Sequence, residues 1–296
     1  MKFSSVQSVL AFAVSLNLAL GYAASPGIGT VTSPGAFRLD RATVISNGTL
    51  FEGSLIETGT ASSSVQVSNG ARLSLTADSR GRIFGDRLVL EKGSGTLENS
   101  IGFKLVALGL TIQPERANST GNIVIENRNR IQVRSSSGAL RVLNANGQLV
   151  ANLSAGSALA FEPQGGPSNA TRVLGCLEQK AEHYLVTDEV TNVTVEVAGS
   201  GVANEAGNRV EITGTLDPAA TPSGKATQLV RVREVRRVTK GCGSSAAAAG
   251  GAKGPGISGA ATGTIAIIGG VAAAAVLGGL AAADALPGQA TNASSR

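Results

Sequence analysis

Aromatic side chains are scarce in this chain of 296 residues: they make up 3% of the sequence, and Trp is absent. A packed core must therefore be built from Val, Leu, Ile and Ala, because the hydrophobic share is still 42%. Histidine is nearly missing as well, since His183 is the single one. Most histidine-based catalytic and zinc sites are thereby excluded.

The residues around His183 are the one place where a metal site is conceivable. Glu178, Glu182 and Asp188 lie near it in the sequence, but a second His or Cys at ligand spacing is lacking. No Ser stands in a G-x-S-x-G elbow, and no Gly-rich stretch ends in Lys-Ser/Thr as a phosphate loop does. We therefore expect no catalytic residue, no metal and no cofactor. Two distant carboxylates acting on a glycan stay open as an alternative.

Cysteine is limited to Cys176 and Cys242. Outside the cytoplasm two such thiols commonly oxidise, and closing a loop of this length stabilises the fold by about 4 kcal/mol in the chain-entropy model. The sequence thus predicts a Cys176–Cys242 disulfide. Two unpaired thiols are the alternative.

Glycine is abundant, with 39 residues against nine Pro, as expected for short strands joined by tight turns. Residues 64–68 (SVQVS) and 72–76 (RLSLT) alternate apolar and polar, and Asn69-Gly70 between them is a strong hairpin signal. This pattern places Val65, Val67, Leu73 and Leu75 on one buried face. Asn146-Gly147 predicts another turn. No stretch keeps a helical period over three turns, so the fold class is all-β.

Both ends carry targeting signals. Lys2, the apolar stretch 9–20 and the small residues before Ser25 predict a signal peptide over residues 1–24. Residues 259–283 hold no charge and are long enough for a membrane-spanning helix. Within them small residues recur every fourth position, a stripe typical of packed membrane helices and a candidate homo-oligomer contact: Ala266, Gly270, Ala274, Gly278 and Ala282. A disordered Gly/Ala tail is the alternative.

Between these signals the composition predicts two β domains. They occupy residues 25–162 and 171–240, joined by a linker at 163–170, and a flexible linker (241–258) and a short tail (284–296) flank the helix. The first domain reads as a sandwich or roll. Five strands in the second suit a small barrel of OB type, with a sandwich fragment as the alternative.

Several motifs resemble known envelope domains. Residues 52–59 (EGSLIETG), 64–67 (SVQV) and 69–75 (NGARLSL) are similar to the core pattern of FecR-type domains, a G-x-x-I-x-T-G turn followed by two strands around an Asn-Gly turn. Val133, Gly138, Leu140, Val142 and residues 153–157 (LSAGS) resemble the closing part of that domain. Residues 173–177 (VLGCL) and 209–215 (RVEITGT) look like small bacterial OB-fold modules. The resemblance implies an envelope β protein, and none of these modules implies an enzyme.

The net charge of +5 permits attraction to anionic surfaces. A basic strand end holds Arg231, Arg233, Arg236, Arg237 and Lys240. Single-strand nucleic-acid binding also needs aromatic stacking platforms, and the second domain offers only Tyr184 and His183. We therefore expect no nucleic-acid partner.

Together these patterns predict an exported, non-catalytic binding or scaffold protein of a bacterial cell envelope. We expect it in the periplasm or at the outer face of the inner membrane, held by a single-pass C-terminal helix and binding an envelope protein or glycan. A FecR-like sensor of transmembrane signalling is one alternative. An enzyme acting on envelope polysaccharide is the other.

Overall fold

The computed structural model describes residues 25–98, 101–163, 169–242 and 265–276. Within them 59% of the residues lie in strands, and the helical structure consists of one 3-10 turn, Ala203–Glu205. The all-β prediction is confirmed. The predicted signal peptide (1–24) and short tail (284–296) lie outside the described residues, as do residues 164–168 of the predicted linker.

The strands fall into a long first part, a second part and a C-terminal hairpin. The first eight are β1 (Gly29–Thr32), β2 (Phe37–Leu39), β3 (Ala42–Val44), β4 (Asn47–Leu50), β5 (Leu55–Glu57), β6 (Ser63–Val67), β7 (Arg72–Leu75) and β8 (Arg80–Ile83). The first part continues with β9 (Arg87–Lys92), β10 (Ser94–Glu98), β11 (Lys104–Ala107), β12 (Leu110–Pro114), β13 (Thr120–Asn127), β14 (Arg130–Ser137), β15 (Leu140–Leu143), β16 (Leu149–Leu153) and β17 (Ala158–Pro163). The second part comprises β18 (Ala170–Lys180), β19 (His183–Thr187), β20 (Thr194–Ala198), β21 (Arg209–Asp217) and β22 (Leu229–Thr239), and the hairpin comprises β23 (Ile265–Ile268) and β24 (Val271–Ala275).

These strands build two sheets. The small sheet has nine strands in the order β16-β15-β12-β11-β9-β8-β5-β2-β3. The large sheet has fifteen, in the order β19-β20-β22-β21-β18-β23-β24-β17-β14-β13-β10-β7-β6-β1-β4. Along the first part the chain passes repeatedly from one sheet to the other, so each new segment extends both layers. Neither sheet as a whole is a closed barrel.

The two layers of the first part face each other across a shared apolar core. Glycines in the large sheet lie against leucines of the small one: a β-carbon at Gly95 would sit 3.3 Å from a methyl carbon of Leu105, and one at Gly121 would sit 2.7 Å from a methyl carbon of Leu140. Since both leucines are fully buried, the glycines make room for large side chains opposite.

The hairpins predicted at the Asn-Gly turns are confirmed. β6 and β7 pair antiparallel around Gly70, whose φ is +92°, and β15 and β16 pair around Gly147, whose φ is +76°. The apolar positions of the first hairpin are buried as predicted: Val65, Val67, Leu73 and Leu75.

The five strands of the second part pair in a cyclic order. β18 pairs with β21 over residues 170–176 and with β19 over residues 177–180, so it borders both. β19 continues to β20, β20 pairs in parallel with β22, and β22 returns to β21. At Gly175 the strand β18 passes from pairing with β21 to pairing with β19. Only glycine fits this close approach of backbones, because a β-carbon at Gly175 would lie 2.1 Å from the carbonyl oxygen of Thr187.

The C-terminal segment differs from its prediction wherever the structure describes it. Residues 265–276 form a β-hairpin instead of a membrane helix, and β24 pairs with β17 while β23 adjoins β18. Residues 259–264 and 277–283 lie outside the described residues. Ile267, Ile268 and Val271 are β-branched and favour strands, and Gly269-Gly270 supplies the two positive φ angles of a tight turn, 56° and 75°.

This hairpin also disperses the predicted stripe of small residues. Ala266 pairs with Ala273, whereas Ala274 pairs with Ile265, so Ala266 and Ala274 point to opposite faces of the sheet. Gly270 lies in the turn, and Gly278 is outside the described residues. No helix within the described ranges has the length and apolar character needed to cross a membrane.

Candidate functional site

The structure contains the predicted disulfide. Cys176 of β18 and Cys242, just after β22, are bonded, with their Cα atoms 5.6 Å apart. Next to it the side-chain oxygen of Asn208 accepts a hydrogen bond of 3.0 Å from the backbone N–H of Gly241. The bridge therefore ties the last strand of the second part to its first strand.

A cleft of about 410 Å³ lies between the first and second parts. One wall is formed by the end of β16 and the turn that follows it, including Asn152, Ser154 and Ser157. The other wall is the loop between β19 and β20, which includes Asp188 and Glu189. Its lining is rich in hydroxyl, amide and carboxylate groups, so it is the natural place to look for a polar ligand or for chemistry.

Asp188 is held as a structural group at the base of this cleft. Its Oδ1 accepts hydrogen bonds from the backbone N–H groups of Val190 and Thr191 and from the Thr191 hydroxyl, and its Oδ2 accepts one from the N–H of Leu174. The side chain is 1% exposed. Burial raises the pKa of Asp188 above its ordinary value, although the hydrogen bonds oppose this shift.

Glu189, the second carboxylate of the cleft, is also engaged. Both of its oxygens accept hydrogen bonds from the Arg209 guanidinium, at 2.7 and 2.6 Å. Paired carboxylates that act on a glycan must reach the sugar as acid and base or nucleophile. Here one is buried in a turn and the other is clamped by an arginine, so the cleft does not offer that pair.

Two hydrogen bonds join the parts beside the cleft. The N–H of Asn152 donates to the carbonyl oxygen of Thr191 at 2.7 Å, and the side-chain amide of Gln228 donates to the carbonyl oxygen of Leu149. Thus β16, at the edge of the small sheet, receives partners from the second part. These contacts are not predictable from the sequence, because Gln228 and Leu149 are far apart along the chain.

The structure spreads the residues named around His183 over β18, β19 and the turns beside β19. His183 begins β19 and Asp188 follows its end, so the two are about 17 Å apart along an extended chain. Within the described ranges no three or more His, Cys, Asp or Glu side chains are grouped to hold a metal ion. Instead His183 Nδ1 lies 2.8 Å from Oε1 of Glu196.

Glu196 is a nearly buried carboxylate with a network of its own. Its Oε2 accepts a hydrogen bond of 2.6 Å from the N–H of Ser223, in addition to the contact with His183. Burial acts to raise the pKa of Glu196, but the Ser223 hydrogen bond and His183 outweigh it, and the pKa lies below its ordinary value. The group fastens the loop before β22 to β20.

The basic strand end is largely paired with acids. Arg231 lies 2.9 Å from Asp217, and Arg237 lies 2.6 Å from Glu205. Arg236 and Arg172 both contact Glu211, and hydrogen bonding from Arg236 is the main reason why the pKa of Glu211 is lowered. The surface of β21 and β22 is therefore one of mixed charge, whereas nucleic acids bind to continuous positive surfaces.

Hydrogen bonds to both parts of the chain hold the turn of the C-terminal hairpin. The side-chain amide of Asn144 donates to the carbonyl oxygen of Gly269 at 3.3 Å, and the N–H of Gly270 donates to the carbonyl oxygen of Ala170 at 3.1 Å. Ile268 and Val271 are buried on either side of the turn. The hairpin thus joins the first and second parts into one continuous sheet.

Comparison of the sequence with models of known protein families and with curated protein sequences finds no match for this chain. The resemblances to FecR-type and OB-type domains stay predictions.

Proposed function

We propose that this chain is an exported, non-catalytic binding or scaffold protein of the cell envelope. The observation that carries the proposal is the Cys176–Cys242 disulfide, because such bonds form and persist in oxidising compartments and are rare in the cytosol. The N-terminal signal pattern of residues 1–24 supports the same location independently.

The engagement of the acidic groups supports a non-catalytic role. In the cleft, Asp188 is buried and hydrogen-bonded and Glu189 is paired with Arg209. His183 is paired with Glu196 outside this cleft. These groups stabilise turns and strand pairs, which favours a scaffold over an enzyme acting on polysaccharide.

The finer domain assignments belong to this proposal as well. The cyclic pairing of β18 to β22, with β20 and β22 parallel, supports an OB-like second part. The hairpin around Gly70 and the two facing layers support a FecR-like first part. Membrane attachment through residues 259–283 is a separate hypothesis, and it requires the hairpin to leave the sheet.

Cell fractionation tests the proposed location. After expression of the full chain in a bacterium, we expect it in the envelope fraction with its N-terminus near Ser25, as read by mass spectrometry. A variant with Leu18→Arg in the apolar stretch should stay uncleaved in the cytoplasm, since a charge there blocks a signal peptide. Finding the unaltered chain uncleaved in the cytosol would refute the proposal.

A further inference from the structure

The C-terminal hairpin lies in a slot between two strands, β17 and β18. On one side β24 pairs with β17 from Pro163↔Val271 to Leu159↔Ala275. On the other side β23 meets β18 at Arg172↔Ile267. With the hairpin removed, both flanking strands would present edges to solvent, and an open edge readily pairs with another strand.

The side chains of Asn144 and Gln148 contact the turn of the hairpin at Gly269. A β-carbon at Gly269 would lie 2.7 Å from Nδ2 of Asn144 and 2.8 Å from Oε1 of Gln148. Because the φ angle of Gly269 is also positive, at 56°, glycine is favoured there. Asn144 is itself fixed, because its Oδ1 accepts hydrogen bonds from the N–H groups of Asn146 and Gln148, each at 3.0 Å. This side of the slot belongs to the β15–β16 turn and is built without the hairpin.

The apolar side chains fit the same slot. Ile268 is 1% exposed and Val271 is 5% exposed, and Ala273 lies opposite the fully buried Phe161. Leu216 of β21 approaches the turn, with a methyl carbon 3.3 Å from the position of a β-carbon on Gly269. The hairpin is thus held in the slot by backbone pairing, by contacts at its turn and by the burial of its apolar side chains.

The hairpin is separable from the rest of the fold. Residues 243–264 lie between Cys242 and β23, a stretch that spans about 70 Å when extended. The Cys176–Cys242 disulfide links the start and the end of the five-strand segment that runs from β18 to β22. This covalent link lies before residues 243–264. Withdrawal of the hairpin breaks none of the strand pairs among the five strands of the second part.

We infer that the slot between β17 and β18 is a strand-acceptor site that, once its own hairpin has left, takes the C-terminal hairpin of a second copy of this chain. The hairpin of another copy offers the same residues, so every contact of the slot can be reproduced between copies, as in exchange of identical elements between protomers. Each copy then contributes one hairpin and one slot. The inference rests on the sheet geometry and not on the proposed location or function.

Two full-length variants of complementary design test it. The first carries Gly269→Val, which disables its own hairpin, and Glu162→Cys beside its slot. The second carries Gln148→Trp, which fills its own slot, and Ala272→Cys in its hairpin. Because Glu162 and Ala272 are paired across β17 and β24, docking between copies brings the new cysteines together.

We expect the mixture to form a disulfide-linked heterodimer, with a doubling of the mass in light scattering and on a non-reducing gel. Moving the hairpin cysteine to Ala275, which pairs with Leu159, should abolish the link. Moving the tryptophan to the exposed Asn146 should also reduce it, because the second hairpin then stays in its own slot. Failure of the first mixture to link, with both variants showing the β-sheet circular dichroism of the unaltered chain, would overturn the inference.

Discussion

Among single residues, two buried acids, Asp188 and Glu196, join separate segments of the chain through hydrogen bonds to their carboxylates. Asp188 joins a turn to β18, because its carboxylate accepts from Leu174 on one side and from Val190 and Thr191 on the other. Glu196 does the same between β20 and the loop at Ser223. Buried donors that lose such an acceptor pay the full cost of desolvation.

Replacement of Asp188 by Ala should therefore be strongly destabilising. Three backbone N–H groups would lose their acceptor, and we expect a loss of about 3 kcal/mol in the free energy of unfolding. Urea denaturation followed by circular dichroism measures it. Glu178→Ala, at an exposed ion pair, is the matched control and should change stability by less than about 0.5 kcal/mol. Equal midpoints for both variants would contradict this role of Asp188.

Glu196 predicts part of the dependence of stability on pH. Its folded-state pKa is lowered, so its contribution is present above the unfolded value, near 4.5, and is lost as the pH falls through the folded value. Asp188 acts in the opposite sense, because a raised pKa gives stability that is lost as the pH rises.

The variant Glu196→Gln should consequently lose less stability on acidification than the unaltered chain. Urea midpoints measured at a series of pH values between roughly 3 and 6 give the two slopes. Glu178→Gln controls for the removal of a carboxylate. Parallel curves for Glu196→Gln and the unaltered chain would show that this group does not contribute.

How far the sequence predicts these residues depends on the range of their contacts. The disulfide is predictable, because only two cysteines exist in a chain whose N-terminal pattern predicts export. The sequence places Asp188 only as a neighbour of His183, whereas one of its hydrogen-bond partners, Leu174, lies on another strand. Asn144 carries no sequence signal for its contact with Gly269, since that contact is formed across the sheet.

At the scale of elements, glycine decides where strands come close. Gly175 lies where β18 changes from β21 to β19, and the carbonyl oxygen of Thr187 would be 2.1 Å from a β-carbon there. A backbone atom cannot move aside as a flexible side chain can. Gly175→Ala should therefore cost about 3 kcal/mol.

Thermal unfolding of Gly175→Ala beside Gly95→Ala measures this effect. Gly95 is the matched control, because its β-carbon would meet a methyl carbon of Leu105 at 3.3 Å, which is a much milder approach. We expect the larger drop in melting temperature for Gly175→Ala. The reverse order would show that β18 does not need a glycine at its change of neighbours.

Local signals predicted the hairpins of the first part, since Asn-Gly turns and alternating strands are adjacent in the sequence. For residues 265–276 the sequence predicts part of a helix, whereas the structure has a hairpin there. An uncharged Ala/Gly-rich segment satisfies the length and hydropathy of a membrane helix, whereas the strand edges that pair with it, at β17 and β18, are distant in sequence. Pairing with these distant strands therefore determines the structure of residues 265–276.

At the scale of the whole molecule, the disulfide closes the second part. It joins residues 66 apart in the sequence, and a loop of that size corresponds to about 4 kcal/mol in the chain-entropy model. The double variant Cys176→Ser with Cys242→Ser should have a free energy of unfolding lower by about that amount, as measured by urea denaturation. An unchanged midpoint would mean that the bridge does not restrain the unfolded chain.

The arrangement of the two sheets was not predictable in detail. Composition and turn spacing indicated short strands and a sandwich or roll, but they do not say which strands share a sheet. In the structure the order follows from repeated passage between layers, and the glycine–leucine contacts between β10 and β11 and between β13 and β15 hold the layers together. Such pairings are set by packing across the core.

The redox state of Cys176 and Cys242 in living cells shows whether the chain folds in an oxidising compartment outside the cytoplasm. Cells producing the full chain are quenched with acid, free thiols are alkylated, and the mass of the chain is measured by mass spectrometry with and without reductant. We expect a chain that starts near Ser25 and takes up label on both cysteines only after reduction. A chain that retains residues 1–24 and has both cysteines labelled without reductant would contradict it.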